Sequence, residues 1–595
     1  MQRSFNKLQI FSLLALLMLP VLAYQTATGR ASESSRVVEP TISSYIVQAA
    51  SADAAELAVI KVGGRVTATL NIINAVGAEL SEEQIEWLRA QPERIRIFVD
   101  GALEISARKP RKPKPEKPPV IGEPPGPPSE IDGSQSEPVA ETYYPTLIGA
   151  ADLHKRGITG KGVTVAILDT GLWKSSTTEF TANGKPRILA QYDATIRDDA
   201  TIRDGYENDL DDWNGHGTHI TSIMMSSGRT EAGGYQGIAP NARVVAVRAF
   251  EPDGSGTYLN VIKALDWIVS NRRKYGIRIL NLSFGAPPAS HYWDDPVNQA
   301  VMAAWKSGII VVVAAGNGGP DPMTVGIPGN VPYVITVGGM TDNFTPEDRT
   351  DDKLATFSAA GPTFEGFVKP DLLAPGGHML GQMPPYAWLP LEHPEYVQQI
   401  NDYFTMSGTS QATAVVSGVL ALMLQAEPRL KPDDAKCRLI ASAHAAVRDD
   451  GIHAYTVFQQ GAGRVDAVAA VNESAVGCAN RDLNIKKDLA GLRHYAGLAG
   501  VDGLGTYYLV DKYGQRMFGP GYEWSQGSLW PEGALWPEEP LLGQGALWNT
   551  GVLWDQASLL NSDSLLSQGA LWPTGALWTT GLSEPVSTYL WAKQE

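Results

Sequence analysis

Six textures of hydrophobic and polar positions follow one another along the chain. Ile10 to Ala23 is a mostly apolar run behind Arg3 and Lys7, and small residues, Val21 and Ala23, close it. That is the pattern of a secretory signal over 1–24. A membrane anchor is the competing reading, but the run falls short of the roughly 20 residues a span needs, and Pro20 interrupts it.

Residues 42–106 then alternate as a compact α/β unit. Tyr45-Ile46-Val47 is strand-like, and Val66 to Leu70 alternates. Ser81-Glu82-Glu83-Gln84 is a capping box opening a helix that carries Ile85 and Leu88 on one face. Arg94 to Val99 has period two, and Asp100-Gly101 signals a tight turn before Ala102 to Ile105. Over 107–140 the pattern vanishes. Arg108 to Pro115 alternates basic residues with proline, and more prolines follow, which predicts an extended, solvated linker.

From 143 to 480 short apolar runs alternate with helical segments. The runs are Val163 to Leu168, Val244 to Val247, Ile277 to Leu282, Ile309 to Ala315 and Tyr333 to Val337. Continuous apolar strands separated by helices predict an α/β fold, a parallel sheet covered on both faces. In such sheets functional residues gather at the carboxyl ends of the strands. Residues 481–526 read as a connector. The last texture, 527–580, is nine hexads whose fourth position is Trp530, Trp536, Leu542, Trp548, Trp554, Leu560, Leu566, Trp572 and Trp578.

Composition adds exclusions more than assignments. With 43% hydrophobic and 19% charged residues the chain is ordinary for a globular protein, and 595 residues exceed one core. A net charge of −16 argues against a nucleic-acid partner, which would meet a basic surface. The two cysteines, Cys437 and Cys478, suit one disulfide in an exported chain, with two buried thiols as the alternative.

Candidate chemistry sits at the strand ends. The run from Val163 ends in Asp169-Thr170-Gly171, a carboxylate that must be paired or hydrogen-bonded if buried. Alone it could also be a helix cap or a metal ligand. Asn214-Gly215-His216-Gly217-Thr218-His219 sets His216 between glycines that admit a close backbone or substrate. No further His or Cys nearby completes a metal site, so a general base is the better reading. Ser407-Gly408-Thr409-Ser410 precedes an apolar segment of helical length, which places Ser410 at or beside a helix N-terminus. Ala314-Ala315-Gly316-Asn317-Gly318 ends the most apolar strand in an amide, either an oxyanion donor or a plain turn residue.

The order Asp, His, Ser along a parallel sheet is that of subtilisin, a known worked case. On Asp169-Thr170-Gly171, Gly215 to His219, Ala315-Gly316-Asn317 and Gly408-Thr409-Ser410, residues 143–480 resemble a subtilisin-like (subtilase) serine peptidase domain. Lys369 to Gly376 and Gly461 to Asp466 support the resemblance. It implies Ser410 as nucleophile, His216 as general base, Asp169 as its orienting partner, and Asn317 in the oxyanion hole. It implies substrate added as a strand between Gly254-Ser255-Gly256 and Ser283-Phe284-Gly285, with Ala315 and Gly316 flooring a pocket of small residues. Residues 42–106 would be an inhibitory prodomain that assists folding and is cut away, so the chain's own prodomain joins peptide or protein substrates as a partner.

The chemistry requires no cofactor or metal, and structural calcium is an expectation without a located site. The acidic residues Asp204, Glu207, Asp209, Asp211 and Asp212 read better as a solvated loop than as a cation site. After Ser410 the family's Met-Ala-Ala/Thr-Pro-His reads Gln411-Ala412-Thr413-Ala414-Val415, and the helix-start proline becomes Ala414, a good helix former. Three readings of the tail remain: a small solenoid or ribbon packed on the enzyme, an exposed array contacting carbohydrate or a cell surface through tryptophan faces, or a disordered tail. Two rival functions remain as well. One is a non-catalytic binding or scaffold protein with the repeats as its functional part, and the other is a hydrolase of small esters.

Overall fold

The computed structural model describes residues 41–92, 94–104, 139–196, 202–204, 210–398, 402–448, 451–511, 513–519, 521–525 and 552–553. The expected signal segment, nearly all of the Pro/Lys-rich linker and all but two residues of the hexads lie outside these.

Residues 42–104 build a four-stranded antiparallel sheet with two helices. Ile42–Gln48 runs between Ala75–Ser81 and Arg96–Val99, and Arg65–Leu70 flanks Ala75–Ser81. The capping box forms as its residues require: Ser81 N donates to Gln84 Oε1 at 2.8 Å and Gln84 N to Ser81 Oγ at 3.3 Å. The helix Glu82–Arg89 that it opens buries Ile85 and Leu88.

Asp100-Gly101 does not close a hairpin. The Asp100 carboxylate instead accepts from Ser44 Oγ (2.9 Å) and from Leu259 N (2.8 Å), at the start of helix Tyr258–Tyr275. The chain therefore leaves its own sheet, and Ala102–Glu104 pairs antiparallel with Ser255–Thr257. The same unit leans on two helices of the larger body. Asp266 accepts from Ile72 N, Gln48 donates to Gln299 at 2.7 Å, and Arg96 pairs with Asp294 at 2.6 Å.

The larger body carries a nine-stranded sheet whose centre is parallel. Its path runs Lys353–Leu354, Ile335–Thr341, Ile310–Ala314, Ile277–Leu282, Thr164–Asp169, Arg243–Arg248, Ile188–Asp193 and Ile202–Asp204, with Leu372–Pro375 beside Ile335–Thr341. The short edge strands Lys353–Leu354 and Ile202–Asp204 are antiparallel. From Thr164–Asp169 the chain builds outward on one side, then crosses to Ile277–Leu282 on the other. Ligands of open α/β sheets bind at such a reversal, beyond the carboxyl ends of the strands. The central strands are buried throughout, as their continuous apolar runs require. Helix Thr409–Ala426 is long and apolar because it runs through this core.

The stretch 481–526, read from its pattern as a connector, is folded. It holds helix Ile485–Leu489 and an antiparallel sheet of Ala499–Val501, Thr506–Leu509 and Glu523–Ser525. Tyr507, Tyr508 and Trp524 join Phe458, Cys437 and Cys478 in one apolar cluster. Cys437 and Cys478 are bonded, with Cα atoms 5.2 Å apart.

Candidate active site

Asp169 is the last residue of its strand, at the reversal point of the sheet. His216 is the first residue of helix His216–Met225, and its Nδ1 lies 2.7 Å from Asp169 Oδ1. Both side chains are almost fully buried, at 0% and 1% exposure.

The glycines around His216 are demanded by two close fits. Gly215 sits at φ 102°, a left-handed conformation that favours glycine. A Cβ at Gly217 would fall 2.4 Å from the Gly171 carbonyl oxygen, so only glycine lets the helix start approach the Asp169 turn.

A second carboxylate joins these two segments. Asp212 is fully buried and accepts from Thr170 Oγ1 (2.8 Å), Gly215 N (2.9 Å), Thr218 N (2.7 Å) and Thr218 Oγ1 (2.7 Å). Thr170 Oγ1 in turn accepts from Gly217 N at 2.9 Å. Burial pushes the Asp212 carboxyl above its usual range, against the donors that favour its charge. Asp212 is thus a brace between the Asp169 turn and the His216 helix, not part of a solvated acidic loop. Its neighbour Asp211 accepts from Tyr386 Oη at 2.7 Å, and Glu207 and Asp209 lie outside the described residues.

His219 is a buried neutral imidazole. Burial, with the nearby His216 second, lowers it to about 3. One ring nitrogen meets the Phe404 carbonyl oxygen at 3.0 Å and the other lies 3.4 Å from Gln411 Nε2. Gln411, the departure beside Ser410, is fully buried against this ring.

Ser410 is the second residue of helix Thr409–Ala426, which packs on the His216 helix. Its Oγ lies 3.1 Å from the Ser283 carbonyl oxygen, and Ser283 Oγ returns a bond to the Ser410 carbonyl at 3.2 Å. The segment Ser283-Phe284-Gly285 is thereby fastened beside Ser410. Phe284 is buried with its ring 5.2 Å from Phe250, which bridges to Gly256. Gly254, at φ 80°, turns the chain into Ser255-Gly256, the stretch that pairs with Ala102–Glu104. Opposite Gly256 stands Leu103, fully buried.

Asn317 follows the strand Ile310–Ala314. Its Oδ1 accepts from Thr409 N (2.9 Å) and Thr409 Oγ1 (3.0 Å), and Gly316 N donates to Thr409 Oγ1 at 3.2 Å. Asn317 Nδ2 is buried and has no hydrogen-bond partner among the described residues. Ala315 is tied into the sheet through Val337, so Ala315 and Gly316 lie beside the residue preceding Ser410. No group of three or more His, Cys, Asp or Glu side chains gathers to hold a metal among the described residues.

A buried imidazole–carboxylate pair thus stands at the reversal of a parallel sheet, and Ser410 opens a core helix that packs on the helix of His216. The Subtilase family model matches residues 160–464. Serine protease AprX of Bacillus subtilis is 37% identical over 320 residues, 53% of this chain and 67% of that protein. Subtilisin E of the same species is 26% identical over 442 residues, 74% of this chain and 94% of that protein. Fervidolysin from Fervidobacterium pennivorans, a keratinolytic enzyme related to subtilisin, shares the fold with a TM-score of 0.54 at 22% identity, over 74% of this chain and 62% of that one. The chain belongs to the subtilase family of serine peptidases and is a subtilisin-like serine endopeptidase. Catalysis in this family needs no cofactor.

Proposed function

We propose that Asp169, His216 and Ser410 form the catalytic triad of a secreted, self-processing endopeptidase. Ser410 Oγ attacks the scissile carbonyl, His216 takes its proton and passes it to the leaving amine, and Asp169 holds the imidazole in the right tautomer. Asn317 Nδ2 and the Ser410 backbone N–H receive the oxyanion, the amide alone contributing roughly 3 kcal/mol. The 2.7 Å contact of His216 Nδ1 with Asp169 Oδ1 carries this reading, because it leaves Nε2 as the nitrogen for proton transfer.

Substrate adds as a strand between Gly254-Ser255-Gly256 and Ser283-Phe284-Gly285, over the floor of Ala315 and Gly316. Residues 42–106 act as the inhibitory prodomain. The observation supporting this is that Ala102–Glu104 occupies the Ser255–Thr257 edge as an added strand, with Leu103 buried. The linker after residue 106 supplies cleavable chain, the segment 1–24 directs export, and structural calcium is assigned no place.

The test is maturation in a host lacking its own proteases. The wild-type chain is expected to lose residues 42–106 while Ser410→Ala keeps them. Identical maturation of both would overturn self-processing.

A further inference from the structure

The peptidase chemistry leaves the hexads unused, yet their pattern is stricter than their tryptophans show. The third position is leucine in all nine, from Leu529 to Leu577. The second is mostly small, as in Ser528, Ala534, Ala546, Val552 and Ser558. Six is an even number, so in an extended chain each position keeps one face through every repeat. No proline occurs between 541 and 572, so that stretch keeps every N–H a strand ladder needs. One hexad cannot bury its own apolar residues and must lean on another surface.

The body of the enzyme offers such a surface. Val552–Leu553 runs antiparallel beside Tyr495–Ala496, with Leu553 opposite Tyr495 and Val552 opposite Ala496. Tyr495 and Ala496 are both buried.

We propose that the hexad segment is an intramolecular partner of the carboxyl-terminal extension. It docks in one register, as a strand added to Tyr495–Ala496 through the hexad 551–556. The partner of the leucine positions is then the chain's own body, and neither a second copy nor a polysaccharide.

The chain's only cysteines are joined to each other, so an engineered pair carries the only free thiols. In the full-length chain with Ser410→Ala, to prevent self-digestion, Ala496→Cys is combined with Val552→Cys, Ala546→Cys or Ser558→Cys. After mild oxidation the linked peptide is read by mass spectrometry on the monomer. The 496/552 pair is expected to link within one chain. The pairs shifted by one hexad should link about tenfold less, the ratio for about 1.4 kcal/mol of register preference. Equal yields in the three registers, links only between chains, or no link would each overturn the proposal. As a second measurement, Leu553→Pro in the same chain should speed hydrogen exchange at Tyr495 and Ala496. Unchanged exchange, or equal protection restored by added polysaccharide, counts against it.

Discussion

The two ends of the Asn317 amide are placed differently. Oδ1 fastens the start of the Ser410 helix through Thr409, while Nδ2 is buried without a partner among the described residues. An unmet buried donor is costly in a resting protein, and under the proposed mechanism the cost is recovered when an oxyanion forms beside it. Asn317→Ala is therefore expected to lower kcat about 100- to 1,000-fold with little change in KM. A variant with unchanged kcat would show that Nδ2 faces no developing charge. His219 yields a stability prediction. Its folded state takes a proton only near 3, whereas the unfolded chain takes one near 6.5, so stability falls as pH drops through that window. In the Ser410→Ala background, His219→Asn should flatten the decline of Tm between about pH 6.5 and 3; parallel curves would contradict the assignment. The glycines around His216 were readable because motif spacing shows where a close approach is needed. Asp212 was not, since a buried brace and a solvated acid look alike in sequence until its four donors are placed.

At the scale of elements, four apolar runs of the central sheet were legible to within one residue, because strands buried on both faces carry little else, while the strand Ile335–Thr341 continues past the run ending at Val337 through Gly338 and Gly339. Strand Ile188–Asp193 was hidden for the opposite reason. It carries Gln191 and Asp193 and follows Arg187, all fully buried but hydrogen-bonded, so its pattern reads as polar. The strand Ala102–Glu104 was visible as a strand but not in its partner, since Asp100-Gly101 turns the chain toward Ser255–Thr257 rather than back on itself. Leu103 anchors that pairing, and burying a leucine stabilises by roughly 1.5–3 kcal/mol. In the Ser410→Ala full-length chain, Leu103→Asp should raise hydrogen exchange at residues 255–257 by about tenfold or more. Exchange that does not change would mean the strand is held by other contacts.

At the scale of the whole molecule, the described residues fall into three parts of unequal legibility. The subtilase domain declared itself through ordered motifs, each ambiguous alone, whose joint placement at the sheet reversal is specific. The small amino-terminal unit was legible as α/β, but its role rests on where its last strand lies. The extension after residue 480 was misread as connector because its short strands, divided by Asp502 to Gly505 and Asp511 to Gly514, are individually too brief to show a period. These parts converge on one claim, that Ser410 is a nucleophile activated by His216. Labelling the matured protein with a fluorophosphonate and mapping the adduct by mass spectrometry tests it most directly. A single adduct on Ser410, absent from Ser410→Ala and strongly slowed in His216→Ala, is the predicted result. No adduct, or one that persists in Ser410→Ala, would contradict it.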